Sequence, residues 1–191
     1  MSMQAGNLHP NDSWPLCLAP IPVVNARVYL AQGVLCGAWK VRESALTFRS
    51  EVGLDGGPCW HDSCVEIFVR SLDGSGNYCN FEFTPQGFCL AARGPDRNHR
   101  LELSAGEYAR IVRNPQGPVV RNANVEWSLQ IEIPLDLLGL DAFSTIDPGA
   151  LVGNIYKCGD KTQAPHWLSA FPIDTPKPDF HRPEFFQALI S

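Results

Sequence analysis

A chain of 191 residues with 45% hydrophobic residues is long enough to bury a core without disulfides or metals. Its formal net charge is −5, and its acidic and basic residues are scattered, so it lacks the electrostatic footprint of a nucleic-acid or anionic-membrane binder. No run of about eighteen apolar residues occurs, which excludes a spanning helix and leaves a small or neutral ligand as the expected partner.

The first residues, MSMQAGNLHPNDSWPLCLAP, have neither a basic start nor an uninterrupted apolar stretch, so they do not read as a secretory leader. The expected location is cytoplasmic, or extracellular if an export sequence precedes them. Further along, short β-branched and aromatic runs alternate with Gly, Pro, Asn and Asp. They predict strands over 26–30, 34–42, 64–70, 78–84, 88–93, 108–112, 125–133, 151–158, 167–171 and 185–190. Residues 94–106, GPDRNHRLELSAG, predict a loop, and NPQG at 114–117 a turn. Residues 134–140, PLDLLGL, place proline ahead of a leucine-rich stretch and predict one short helical turn. About ten strands without amphipathic helices between them predict an all-β fold, an antiparallel β-sandwich. No linker, repeat or low-complexity tract is visible, so a single domain is expected over residues 1–191.

Alternation along the strands assigns faces. Ser63, Val65, Ile67 and Val69 make the better core face of their strand, which leaves Glu66 on the other face between apolar neighbours, where a carboxylate needs a partner or a ligand. In the next strand Cys79, Phe81 and Phe83 are apolar, while Tyr78, Asn80, Glu82 and Thr84 form a polar set. TPQG at 84–87 predicts the hairpin turn that follows. A two-residue loop there turns Arg93 toward Asn80, and an extra residue at Gly87 turns it away. Val125, Trp127, Leu129, Ile131 and Ile133 show the clearest period of two, so Trp127 is expected in the core. Trp60 and Trp167 differ in lying beside loops with polar neighbours.

The seven cysteines are odd in number and contain no C-x-x-C pair, so free, buried thiols in a reducing compartment are expected. Cys59 and Cys64 are five apart with no His-x-x-x-His nearby, and that spacing gives no zinc site. Glu66 and Glu82, or Asp62 and Glu66, could supply paired carboxylates for glycoside hydrolysis. Ser63, a histidine (His166 or His181) and Asp160 could be imagined as a triad, but no G-x-S-x-G elbow accompanies them. Sugar binding asks for less: flat aromatic faces for the C–H side of a pyranose and planar polar groups for its hydroxyls. Trp60 offers the platform, and Glu66, Asn80 and Arg93 offer the polar groups. A half-buried Trp60 over the core, with Glu66 paired to Arg70 or Arg93, is the plain structural alternative.

Six stretches carry a family resemblance: WHDSCVEIFV (60–69), NYCNFEFTPQG (77–87), VEWSLQIEIPLDLLG (125–139), GNIYKCGD (153–160), PHWLSAFPI (165–173) and PDFHRPEFFQALI (178–190). In this order the sequence resembles the family 9 carbohydrate-binding modules and their stand-alone relatives. The resemblance implies a jelly-roll-like sandwich that binds carbohydrate without cleaving it, as an accessory to glycoside hydrolases in xylan- and cellulose-type catabolism. It implies that two aromatic walls hold the end of a glycan or a short oligosaccharide. Trp60 matches the first wall, Glu66 the glutamate that bonds hydroxyls, and Trp167 or, failing that, Phe171 the second wall. Arg93 and Asn154 match the polar groups that complete such a site. Exported relatives hold structural calcium, but no D-x-D-x-D-G loop occurs here, so no cofactor is expected, with structural calcium the one candidate. The runner-up functions are a glycoside hydrolase using Glu66 and Glu82 and a protein-interaction sandwich.

Overall fold

A computed structural model describes residues 2–140, 147, 149 and 151–190. The chain forms two antiparallel sheets, the β-sandwich that its alternating runs predict. The first sheet contains β1 (Ser2–Asn7), β3 (Val23–Ala31), β4 (Val34–Ser44), β10 (Asn124–Pro134) and β9 (Val112–Arg121), in that spatial order. The second runs β2 (His9–Pro10), β12 (Trp167–Ser169), β11 (Val152–Cys158), β5 (Cys64–Arg70), β6 (Tyr78–Phe83), β7 (Cys89–Gly94) and β8 (Leu101–Glu102), with β13 (Gln187–Ala188) also on β11.

Alternation fixes what lies between the sheets. Val125, Trp127, Leu129, Ile131 and Ile133 of β10 are buried and meet Val65, Ile67, Phe81 and Phe83 in one core, each such side chain contributing about 1.5–3 kcal/mol. One polar cluster crosses this core. Lys157 from β11 reaches Glu43 of β4 at 3.2 Å and His166 Nε2 at 2.6 Å, and Trp127 Nε1 donates to Glu43 Oε1 at 2.7 Å.

The strands at the centre of the second sheet are buried on both sides. Cys64, Phe68, Tyr78, Tyr156 and Cys158 point away from the sandwich core and meet Trp14, Cys59, Ile173, Phe180 and Phe186 in a second apolar layer. Loops therefore cover the outer face of this sheet, and the candidate site lies under them.

Several expectations are corrected. The strand expected over 108–112 is replaced: Tyr108 ends the short helix α1 (Ala105–Tyr108), whose Ser104 and Glu107 make a reciprocal capping box, and only Val112 is in a strand, as the first residue of β9. NPQG at 114–117 lies inside β9 instead of forming a turn. Because β9 pairs only with β10 among the described residues, its edge position tolerates Pro115, and a register shift opposite Glu126 and Ser128 absorbs the irregularity. The 94–106 loop contains the two-residue strand β8 and the start of α1. The helical turn of 134–140 is present as a 3-10 turn, Leu135–Leu138, ended by Gly139 in the left-handed region.

Candidate functional site

The site begins at a 3-10 turn, Cys59–His61, that leads into β5. Asp62, wholly buried, accepts hydrogen bonds from the Glu51 and Val52 amides at 2.7 Å each and pairs with Arg49. It is thus a strand-entry residue that holds neighbouring backbone. The Asp160 amide donates to Trp60 O at 2.9 Å and the Lys161 amide to His61 O at 3.2 Å, which ties the turn to the loop after β11. Asp160 does a second thing: its Oδ1 accepts from Trp167 Nε1 at 2.8 Å. One aspartate therefore positions both tryptophans. Trp60 remains 38% exposed, a large value for an indole against a well-packed sheet.

Trp60, Glu66, Glu82, Asp160, Trp167 and Phe180 border a cavity of about 340 Å³, with Arg97, Arg100, Asp179 and His181 at its polar side. Glu66 and Glu82 are directly opposite each other on β5 and β6 and form its floor, 2% and 3% exposed. Glu66 Oε1 accepts from Cys158 Sγ at 3.0 Å. Glu82 Oε1 accepts from Asn80 Nδ2 at 3.1 Å, and Asn80 Oδ1 accepts in turn from Arg100 Nη1 at 2.6 Å. Glu82 Oε2 is buried and has no hydrogen-bond partner among the described residues. A buried acceptor left bare costs about 1–3 kcal/mol, more when charged, so this oxygen is poised for a donor from a ligand.

Burial, reinforced by the charge of Glu82, holds the Glu66 carboxyl well above the usual carboxylate range. Burial also pushes Glu82 up to about 7, against the pull of Arg100 and the Asn80 hydrogen bond. Asp160 is raised by burial as well, opposed first by its bond from Trp167. His181 contacts the Tyr78 hydroxyl through Nδ1 at 2.8 Å, and burial beside Arg100 and Arg97 lowers it to about 2, so it is neutral near pH 7. The floor is thus two carboxyls that share a small space with guanidinium groups above them, suited to bonding hydroxyls.

The structure brings Trp60, Glu66 and Trp167 together on the cavity. Asn80 supports it through Glu82. Arg93 is on the other face of the sheet: it pairs with Cys79, while Asn80 pairs with Ala92. Thr84 and Phe88 close a loop in which Gly87 sits at φ 86°, the extra left-handed residue that reverses the simple hairpin register. Asn154 is buried and spends its amide on backbone, donating to Phe171 O at 2.9 Å and accepting from Phe171 N at 3.0 Å. Phe171 packs against the inter-sheet core and does not border the cavity. The alternative partner Arg70 donates to Pro183 O, away from Glu66. The imagined triad is not assembled either: Ser63 Oγ donates to Thr47 O, His166 faces Lys157, and His181 faces Tyr78.

Arg97 and Arg100 were inside the stretch expected to be loop, and only their pairing in RNHR hinted at a charged rim. Asp179, Phe180 and His181 lie in PDFHRPEFF, whose density of aromatic and charged residues was the available signal.

Residues 11–190 match the family model for carbohydrate-binding family 9. The fold is similar to the crystal structure of a candidate carbohydrate-binding protein from Bacteroides uniformis, with a TM-score of 0.80 and 32% sequence identity over 95% of this chain and 83% of that one. A search of curated proteins found no match.

Proposed function

This chain belongs to carbohydrate-binding family 9, and on that premise we propose that it binds a saccharide without cleaving it, in the cavity bordered by Trp60 and Trp167. The observation that carries this is the bare Glu82 Oε2 on the cavity floor, an acceptor that a sugar hydroxyl would satisfy. Trp60 and Trp167 offer apolar faces for pyranose C–H groups, while Glu66, Glu82, Arg97 and Arg100 take the hydroxyls. A cavity of about 340 Å³ is at the small end for ligand pockets, which favours a glycan end or a short oligosaccharide. Xylan- and cellulose-type saccharides are the proposed ligands and their catabolism the proposed setting, with family membership as the support. The seven free cysteines favour a reducing, cytoplasmic compartment for it.

The placement of the carboxyls supports binding over hydrolysis. Glycosidases need two carboxyls flanking the scissile bond, commonly one on each face of the sugar. Glu66 and Glu82 stand side by side on adjacent strands of one floor and meet a bound ring from the same side. Calorimetric titration with xylo- and cello-oligosaccharides should show binding that Trp60→Ala weakens by about 2 kcal/mol, roughly thirtyfold. If no saccharide in such a panel binds, or if aryl glycosides are turned over and Glu66→Gln stops it, the proposal fails.

A further inference from the structure

The same floor holds a second constellation. In the antiparallel register Cys64 pairs directly with Cys158, and Glu66 lies two residues beyond Cys64 on the same face. The two sulfurs and a Glu66 oxygen lie within 4.8 Å of one another, and all three residues are buried. Two thiols and one carboxyl are a soft, mixed donor set that does not fit calcium, which takes six or more oxygens. We propose that Cys64, Glu66 and Cys158 bind a thiophilic divalent cation of the zinc type at the base of the cavity.

The geometry is close to what such an ion needs. Zinc–sulfur bonds of about 2.3 Å at tetrahedral angles put two thiolates about 3.8 Å apart, so the sulfurs need to shift by about 1 Å at most. Cys158 Sγ and Glu66 Oε1 already stand 3.0 Å apart. Three protein ligands leave a fourth position, and because Glu66 and Cys158 both border the cavity, that position opens toward it. Two thiolates and one carboxylate around a dication leave one net negative charge, and Arg97 and Arg100 border the same cavity.

A dication bound by two thiols and a carboxyl displaces their protons, so it is held more tightly as pH rises. Sequence spacing concealed the set because Cys64 and Cys158 lie on different strands that only the sheet brings together.

This inference does not rest on the saccharide proposal, since its readout needs no sugar. Reduced protein titrated with cobalt(II) should saturate at one equivalent with a sulfur-to-cobalt charge-transfer band in the near ultraviolet, and zinc should bleach it. Cys64→Ala and Cys158→Ala should each remove roughly half or more of that band, and Glu66→Gln should weaken the affinity while leaving the thiolate band. A band that persists undiminished in Cys158→Ala, or its absence in the folded wild type, would overturn the proposal. Should a cysteine variant fail to fold, X-ray absorption on the wild type with one equivalent of zinc decides: two sulfur neighbours at about 2.3 Å are expected. Nitrogen and oxygen neighbours alone would overturn it.

Discussion

Glu82 has one oxygen bonded to Asn80 and the other bare, and burial places its titration near neutrality. A ligand hydroxyl donates more strongly to a carboxylate than to a carboxylic acid, so saccharide should bind the ionised form better. The sign follows directly. Bound sugar lowers the Glu82 pKa, and affinity therefore rises with pH through about 7 before levelling off. In Glu82→Gln the rise near neutrality should flatten, and at pH 8 affinity should drop roughly tenfold, the worth of a hydrogen bond to a charged group. Titration calorimetry at pH 6, 7 and 8 checks both; affinity that is flat with pH in the wild type removes Glu82 from the ligand's contacts.

At the scale of elements, the β6–β7 hairpin decides which arginine serves the cavity. Gly87 adds the left-handed residue that turns Arg93 to the opposite face, and Arg100, in the loop between β7 and β8, reaches back to Asn80. Arg93→Ala should accordingly leave saccharide affinity unchanged. Arg100→Ala should weaken it and shift the pH midpoint upward, since Arg100 is the main charge lowering the Glu82 pKa. The hairpin also marks what sequence could and could not show. Period-two alternation identified β5, β6 and β10 because each is a long strand with an apolar core face, and it put Glu66 on the side away from that core. Trp60 and Trp167 were visible as tryptophans outside that alternation. Short strands such as β2 and β8 are too brief to show a period, and β9 carries its prolines on an edge, where a ladder tolerates them. Arg93 and Asn154 were misplaced for a different reason. A single residue of hairpin length reverses a face, and an amide in a strand can serve a neighbouring backbone as well as a ligand.

Across the whole molecule, buried titratable groups pull stability in opposite directions. His166 and His181 are lowered from 6.5 to about 2, chiefly by burial, so below pH 6.5 the unfolded chain binds protons that the folded one refuses. Their contribution is lost as pH falls. Glu66 and Glu82 are raised from 4.5, again chiefly by burial, so above pH 4.5 the folded chain keeps protons that the unfolded one has released. Their contribution is present at low pH and is lost as pH rises, for Glu82 through about 7. Each group has a slope of at most about 1.4 kcal/mol per pH unit, and between 4.5 and 6.5 the two pairs oppose each other. Urea-unfolding midpoints should therefore form a plateau over that window, fall below it as the histidines dominate, and fall above it as the carboxyls ionise. A midpoint that climbs steadily from pH 5 to pH 8 would contradict this balance. Glu82→Gln removes one carboxyl from the alkaline limb, so at pH 8 it should be more stable than the wild type by about 1 kcal/mol or more while binding saccharide less well. That combination separates a residue kept for its ligand from one kept for the fold: a packing residue, when altered, loses stability and binding together.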